Sequence, residues 1–239
     1  MIGLGTIINV AAIVFGGIFG LVFGKVLSGR VQSTMITTLG VCTIFIGISG
    51  ALQQMYTVNG GKIEAGGTMM MIGSFVFGSL VGEWLNLEDK MEQFGSWLKI
   101  KTKSDKDTGF IDGFVTTSLT VCIGAMAVVG AIQDGIYGDY SLLTAKAVLD
   151  LILVAVMTST MGKGCIFSAI PVAVFQGSVT FLAIFIEPLM TPQALSNLSL
   201  TGSMLIFCVG ANLVFGKRIK VANMLPTIVF AVAWAFLPF

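Results

Sequence analysis

Apolar runs separated by short polar segments make up most of the chain, and the longer runs approach the 20 or so residues that a helix needs to cross a bilayer. This pattern predicts eight membrane spans in an all-α, polytopic bundle that forms a single transmembrane domain, 1–239. The predicted spans are residues 4–24, 34–54, 67–86, 110–133, 142–161, 164–187, 199–216 and 222–238. The last span is the shortest and contains two prolines, so a seven-span chain with a re-entrant last segment is the alternative.

The longest polar segment, residues 87–109, has the periodicity of an amphipathic helix. Its apolar residues recur every three or four positions, on the face opposite to charged residues that include Glu88. The apolar positions are Trp84, Leu87, Met91, Phe94 and Leu98. This pattern predicts an interfacial helix on the inner leaflet of the bilayer. The alternative is a regulatory helix that binds a partner protein.

Lysine and arginine are distributed unevenly over the loops. Eleven follow the odd-numbered spans, whereas only Lys62 lies in a loop after an even-numbered one, and Lys146 lies inside a span. Because cytoplasmic loops carry the excess of basic residues, both termini are expected to face outward from the cytoplasm.

The composition excludes several classes of function. Of the 239 residues, 55% are hydrophobic and 10% charged, and the net charge is +1, so a basic surface for nucleic acid is not expected. There is no histidine, and the four cysteines are far apart in apolar runs. We therefore expect no metal site, no cofactor and no enzymatic activity.

Two short stretches recur along the chain. Residues 37–53 (TTLGVCTIFIGISGALQ) align without gaps with residues 117–133 (TSLTVCIGAMAVVGAIQ), and LVFGK occurs at both 21–25 and 213–217. These echoes suggest duplicated helical hairpins, as in many transporters and channels. The alternative is chance recurrence in a composition rich in Gly, Val and Leu.

Small residues four positions apart mark one face of the first and third spans. These positions are Gly16, Gly20 and Gly24, and Ser74, Gly78 and Gly82. Such faces let helix backbones approach closely, either within the bundle or in a homodimer. A narrow pore wall is the functional alternative.

Asp150 is the one acid that the sequence places well inside a long apolar run, and Lys146 precedes it by four residues. Residues i and i+4 share a helix face and can pair. An ion pair that fixes helix register is one interpretation, and a site for a substrate, ion or proton is the other.

Further polar side chains are predicted inside other spans or next to them. Asn9, Gln53, Gln133, Gln176 and Asn212 are amides in apolar surroundings, and interhelical hydrogen bonds alone could explain them. Asp134 and Asp139 belong to the predicted outer loop after the fourth span, where they could offer oxygen ligands to a cation. A polar turn explains the same residues.

The block 124–181 resembles the central part of a bacterial family of unknown function, number 554, the YdfK/YqgA-like membrane proteins. The stretch that carries the resemblance runs from Gln133 through Lys146 and Asp150 to Gln176-Gly177, and the opening GLGTIINVAAIVFGGIFGLVFGK is similar to the start of that family. The resemblance implies a multi-pass protein of the bacterial inner membrane. Proteins of this family are often labelled as candidate transporters because of their hydropathy.

These observations favour a small-solute or ion transporter or channel that uses Asp150, Lys146, Gln176, Gln133 and Asn212 as its intramembrane site. The expected partners are the lipid bilayer and the transported species, with a homodimer as a further expectation. The alternative function is a non-transporting scaffold or regulator that acts through the 87–109 helix.

Overall fold

A computed structural model describes residues 2–59 and 62–237 of the chain as a set of helices with one short β-hairpin. The predicted all-α membrane fold is confirmed. The helices are α1 (Leu4–Gly24), α2 (Gly29–Met55), α3 (Thr68–Leu85), α4 (Leu87–Lys101), α5 (Phe110–Cys122), α6 (Ala125–Tyr137), α7 (Ser141–Met161), α8 (Ala169–Phe181), α9 (Ala183–Ile186), α10 (Pro192–Phe215), α11 (Val221–Met224) and α12 (Thr227–Trp234). The hairpin pairs β1 (Tyr56–Asn59) with β2 (Lys62–Ala65) in antiparallel register.

Within the described ranges, six helices are long and apolar enough to cross a membrane. They correspond to the predicted spans one, two, three, five, six and seven. The sixth starts as a 3₁₀ turn, Lys163–Ser168, that runs into α8. The predicted 164–187 segment is shorter as regular helix than expected, because α8 ends at Phe181 and a short helix and a 3₁₀ turn follow it.

The fourth predicted span is broken. Helices α5 and α6 meet at a 62° bend and together have the length and composition of one span. Gly124 lies at the break with φ of 141°, a backbone conformation that residues with a side chain rarely adopt. After the break α6 continues to Tyr137, four residues beyond the predicted end of the span at 133, and this extension moves Asp134 out of the predicted loop.

The eighth predicted span, 222–238, is formed by the two short helices α11 and α12, and its last residue lies outside the described part of the chain. This segment runs antiparallel to α3. On α3, a Cβ atom added to Gly82 would collide with Asn223, one added to Gly78 with Thr227, and one added to Gly73 with Trp234. The segment therefore follows α3 over most of its length, although Pro226 interrupts its helix.

The chain forms two compact units. Unit 1 comprises residues 1–38, 89–122 and 126–187, and unit 2 comprises 39–88, 123–125 and 188–239. In unit 1 the predicted small-residue face of α1 packs on the backbone of α7. A Cβ on Gly16 or Gly20 would lie 2.3 Å from a carbonyl oxygen of α7, so only glycine permits this spacing.

Helix α4 has the predicted amphipathic character, but one residue departs from the predicted pattern. Glu88, assigned from the sequence to the polar face, is buried in unit 2. Its carboxylate accepts a hydrogen bond from the backbone N–H of Ala222 at 3.0 Å and pairs with Lys217 at 3.1 Å. Helical periodicity gives the face of a residue but not the loops that fold over that face, and here the start of α11 covers Glu88.

Candidate functional site

Lys146 and Asp150 form an ion pair inside unit 1. Both residues lie on α7, one helical turn apart, and the Lys146 ammonium contacts Oδ2 of Asp150. The pair is buried, with Lys146 6% and Asp150 7% exposed. The i, i+4 spacing read from the sequence therefore places the two charges as expected. Isolated charges at such a depth are costly, and their pairing offsets part of that cost.

An amide pair on two other helices lies beside this ion pair. Asn9 of α1 donates from Nδ2 to Oε1 of Gln176 on α8 at 3.2 Å, and both residues are buried. The Asn9 amide also interacts with the carboxylate of Asp150. Oδ1 of Asn9 and Nε2 of Gln176 have no hydrogen-bond partner among the described residues. Three helices thus direct polar groups to one place, and two of the polar atoms there stay unsatisfied.

Two further polar contacts continue from the amide pair towards the first residues of α1. Thr6 of α1 and Thr180 of α8 bring their hydroxyl oxygens to 3.5 Å, and the backbone N–H of Gly5 donates to Oδ2 of Asp134 at 3.0 Å. Since helix residues rise about 1.5 Å each, these levels follow one another along α1 within roughly 6 Å. We call the whole set the polar column. It consists of Asp134, Thr6, Thr180, Asn9, Gln176, Lys146 and Asp150.

An apolar layer lies one helical turn further along the same three helices. Ile13 follows Asn9 by four residues on α1, Val154 follows Asp150 on α7, and Val172 precedes Gln176 on α8. These three side chains are fully buried and pack together in one cluster with Val121 and Ala169. The polar column is therefore bounded at this end by a continuous layer of hydrophobic side chains, which we call the apolar layer.

Two of the amides predicted to belong to the Asp150 site lie in other surroundings. Asn212 is a residue of unit 2, where its side chain donates to the Ile219 carbonyl at 2.7 Å and accepts from the backbone N–H groups of Arg218 and Ile219. It fixes the loop after α10. Gln133 is half-buried on α6, next to Asp134, and its backbone carbonyl accepts from the N–H of Asp139.

The predicted cation loop is divided between two environments. Asp134 is fully buried on α6, whereas Asp139 is exposed and accepts at 3.0 Å from the backbone N–H of Ser141 at the start of α7. The hydrogen bonds from Ser141 lower the pKa of Asp139. No group of three or more Cys, Asp or Glu side chains suited to a metal ion occurs among the residues that the structure describes.

Little in the sequence indicates the two levels of the polar column nearest the start of α1. Thr6 and Thr180 are common residues in membrane helices, and only their position beside Asn9 and near Gln176 distinguishes them. For Asp134 the sequence predicts a loop position, because the apolar run stops at residue 132. The signal for its burial is its helical spacing from Ala127, Gly130 and Ala131, all of which are buried on the same face of α6.

Unit 2 contains an open pocket of about 490 Å³. Its lining combines amides, methionines and an aromatic ring, and none of its side chains is charged. The lining residues are Gly67, Thr68, Met69, Met70, Gln193, Asn197, Trp234, Ala235 and Leu237. None of them belongs to the polar column, so this pocket and the Asp150 site are separate features.

Long apolar helices, one bent pair and a buried polar column define this chain as a helical, multi-pass membrane protein. Its particular family follows from comparison with known sequences. The chain belongs to the family described as "Protein of unknown function (DUF554)", whose model matches residues 4–236.

Two relatives match over nearly their full length. The chain is 27% identical over 224 residues to "Uncharacterized membrane protein YdfK" of Bacillus subtilis, covering 94% of this chain and 92% of that protein. It is 26% identical over 232 residues to "Uncharacterized protein YqgA" of Escherichia coli, covering 95% and 94%. No solved structure matches the chain significantly. The family resemblance seen in the sequence is confirmed.

Proposed function

We propose that the protein is a small-solute or ion transporter or channel of the bacterial inner membrane, with its binding site in the polar column around Asp150. The observation that carries this proposal is the unsatisfied amide pair beside the ion pair: Asn9 Oδ1 and Gln176 Nε2 are buried and have no hydrogen-bond partner in the described part of the chain. A buried polar atom without a hydrogen bond costs about 1–3 kcal/mol. A solute that binds there satisfies both atoms.

The ion pair gives the site a means of responding to a substrate. In the empty state Lys146 neutralises Asp150. A cation or proton that binds to Asp150 replaces the ammonium. Lys146 lies only roughly one and a half turns from the start of α7, so its long side chain can extend towards the membrane surface. Lys146 is thus the counter-ion of the empty site, and Asp150 is the residue that binds the cation.

The apolar layer supplies the barrier that a transporter needs. A polar species in the column meets Ile13, Val154 and Val172 on its way through unit 1, and these fully buried side chains offer it no hydrogen bond. Passage therefore requires the helices to separate at this level. The close glycine contacts between α1 and α7 hold the layer closed in the present arrangement.

The break between α5 and α6 is a second feature typical of transport proteins. Discontinuous helices in transporters leave backbone groups that bind substrates or ions. Cys122, the last residue of α5, packs against the apolar layer. The end of the broken helix therefore adjoins the layer that bounds the proposed site.

A scaffold or regulatory role through α4 is the second candidate. The observation that favours it is a pair of stacked aromatic rings, Phe94 and Trp97, with centroids 5.7 Å apart on an exposed face of the helix. An interfacial helix presents the same rings to lipid headgroups. If the wild-type protein is folded and stable but passes none of the probes in the experiment below, the scaffold role is favoured.

Reconstitution into liposomes tests the proposal. Flux of protons, radiolabelled sodium and rubidium, and small neutral solutes such as glycerol is measured for the wild type, Asp150→Asn and Asp105→Asn. Asp105 is an exposed acid of unit 1 and serves as the matched control. We expect one probe to permeate, with at least a tenfold loss in Asp150→Asn and no change in Asp105→Asn. Flux that is equal in all three proteins removes Asp150 from the mechanism.

A further inference from the structure

Asp134 introduces a second buried carboxylate into unit 1, and the charges there do not balance. The buried charged side chains among the described residues of this unit are Asp134, Lys146 and Asp150, that is, two acids and one base. Lys146 is paired with Asp150. Asp134 is 0% exposed and has no basic partner among the described residues.

The hydrogen bonds of Asp134 satisfy only half of its carboxylate. Oδ2 accepts from the N–H of Gly5 at 3.0 Å, whereas Oδ1 is buried and no described residue is its hydrogen-bond partner. Gly5 belongs to the first turn of α1, whose dipole contributes about half a positive charge at this end. The helix end therefore compensates the carboxylate in part, and the remaining negative charge and the free oxygen are both available to a cation.

Among the described residues, the elements around Asp134 provide no other charge that could fill this role. Helices α1, α8 and α9 carry no charged residue. Helix α7 contributes Lys146 and Asp150, which pair with each other, and α6 itself contributes Tyr137, whose hydroxyl donates to Glu187 at 3.2 Å. No described residue supplies the missing positive charge, which leaves a cation from solution as its source.

We infer that Asp134 binds one monovalent positive charge, a proton or an alkali cation, as the coupling ion of the transport cycle; this inference rests on the function proposed above. A multivalent metal ion is a poorer fit, because it needs several oxygen ligands and the described residues offer no cluster of acids. The Thr6–Thr180 hydroxyl pair and the Asn9–Gln176 amide pair connect this position with Asp150. Of the two carboxylates in the polar column, Asp134 lies nearer to the start of α1 and Asp150 lies further along the column, next to the apolar layer.

The orientation expected from the basic loops places Asp134 on the extracytoplasmic side. The coupling ion therefore reaches Asp134 first when it enters from outside the cell, and the occupied carboxylate no longer repels a second negative charge in the column. Uptake driven by an inward ion gradient is the direction of transport that this order favours.

The test uses ion binding, which does not depend on finding the transported solute. The unfolding midpoint of the purified protein is measured in NaCl, KCl and choline chloride at equal ionic strength, for the wild type, Asp134→Asn and Asp105→Asn. If an alkali cation binds, the midpoint of the wild type rises with its concentration by roughly 3–6 °C per tenfold increase above the Kd. Asp134→Asn loses this rise, and Asp105→Asn keeps it.

The proton arm of the test uses infrared spectroscopy in choline chloride. If the bound charge is a proton, the wild type and Asp105→Asn show the carbonyl band of a buried carboxylic acid, and Asp134→Asn lacks it. Should Asp134→Asn fail to fold, modification by dicyclohexylcarbodiimide is mapped in the wild-type protein. Labelling at Asp134 that slows when sodium, potassium or hydroxide is added supports the inference.

A purely structural role gives a different pattern. If Asp134 only caps α1, Asp134→Asn lowers the unfolding midpoint by the same amount in all three salts and changes no infrared carboxyl band, and the inference is overturned. Failure of the inference is separable from failure of the proposed function. If flux depends on Asp150 but the unfolding midpoint of Asp134→Asn still rises with the cation, only the inference is refuted. If the midpoint of the wild type rises with the cation but no flux is found, only the transport proposal is refuted.

Discussion

A Cβ atom added to Gly20 would lie 2.3 Å from the carbonyl oxygen of Ala155. The same collision occurs one turn earlier, between Gly16 and the carbonyl oxygen of Leu151. Helices α1 and α7 are therefore in backbone contact along this face, which is the arrangement that small residues four apart allow. The contact matters for the site because α1 carries Asn9 and α7 carries Asp150, and both belong to the polar column.

Replacing Gly20 by alanine should separate these helices. The added methyl group meets backbone, which cannot rotate away, so we expect a loss of about 1–3 kcal/mol in unfolding free energy. Gly177→Ala on α8 is the matched control, since a Cβ there would have nothing within 4 Å. Unfolding of both variants in detergent micelles measures the difference. Equal stability of Gly20→Ala and Gly177→Ala would contradict the close contact.

Variants of the Lys146–Asp150 ion pair can show whether the two charges serve stability or transport. Lys146→Met and Asp150→Leu each leave one buried charge without its partner, and we expect each to cost about 3–5 kcal/mol. The double variant removes both charges and keeps the volume similar, so its stability should return to near that of the wild type. A double-mutant cycle from unfolding free energies measures the coupling.

Flux through the same double variant completes this test. A protein that is stable again but transports nothing shows that the charges serve the substrate. A double variant with wild-type flux would show instead that the pair only fixes helix register.

The sequence predicted the spans that are regular and apolar. The bounds 4–24 agree with α1, Leu4–Gly24, and 142–161 differs by one residue from α7, Ser141–Met161. Both helices are long and apolar enough to cross a membrane, so length and hydropathy predict their bounds. The bend in the fourth span was not predicted, because Gly124 is one of 30 glycines and nothing local distinguishes the one that breaks a helix.

Helical spacing predicted the two site residues that share one helix, and Gln176 on α8 was expected in the site only from its apolar surroundings, whereas Asn9 was not assigned to it. Lys146 and Asp150 are four residues apart, and helical spacing alone places them together. The partners from other helices, Asn9 and Gln176, are 167 positions apart, and only the packing of α1 with α8 brings them into contact. Asn212 has the same chemistry and a similar apolar environment in the sequence, yet it binds the next loop.

For the amide pair, we expect a substitution to have a small effect on the free energy of unfolding and a large effect on flux. Interhelical polar contacts within membranes average about 0.6 kcal/mol, so Asn9→Leu should change stability little. If Asn9 contacts the transported species, its loss should lower flux at least tenfold, because the site then lacks a hydrogen-bonding group. Unfolding and liposome flux, measured on the same preparation, check both statements. A stability loss of several kcal/mol with normal flux would make Asn9 a structural residue only.

The position of the C-terminus tests the membrane topology. The segment of α11 and α12 follows α3 from its last turn back towards its first, and α3 spans about 27 Å at 1.5 Å per residue. We therefore expect residue 237 on the opposite side of the membrane from residue 217. Alkaline phosphatase fused after residue 237 should be active and green fluorescent protein there should be dark, with the reverse after residue 217. A fluorescent fusion at both positions would show that the last segment is re-entrant.

From the position of the apolar layer we predict which valines limit the leak of ions through the protein. Val172 and Val174 lie two residues apart on α8, but Val172 is 0% exposed in the layer and Val174 is 64% exposed. Threonine has nearly the volume of valine and adds a hydroxyl group, so Val172→Thr places a hydrogen-bonding group in the barrier without opening a large cavity. The apolar layer excludes water and polar solutes because it has no hydrogen-bonding groups. We therefore expect Val172→Thr to raise the substrate-independent leak of ions several-fold in liposomes. Val174→Thr should leave this leak at the wild-type level. Equal leak in the two variants, with both proteins folded, would show that the barrier lies elsewhere in the molecule.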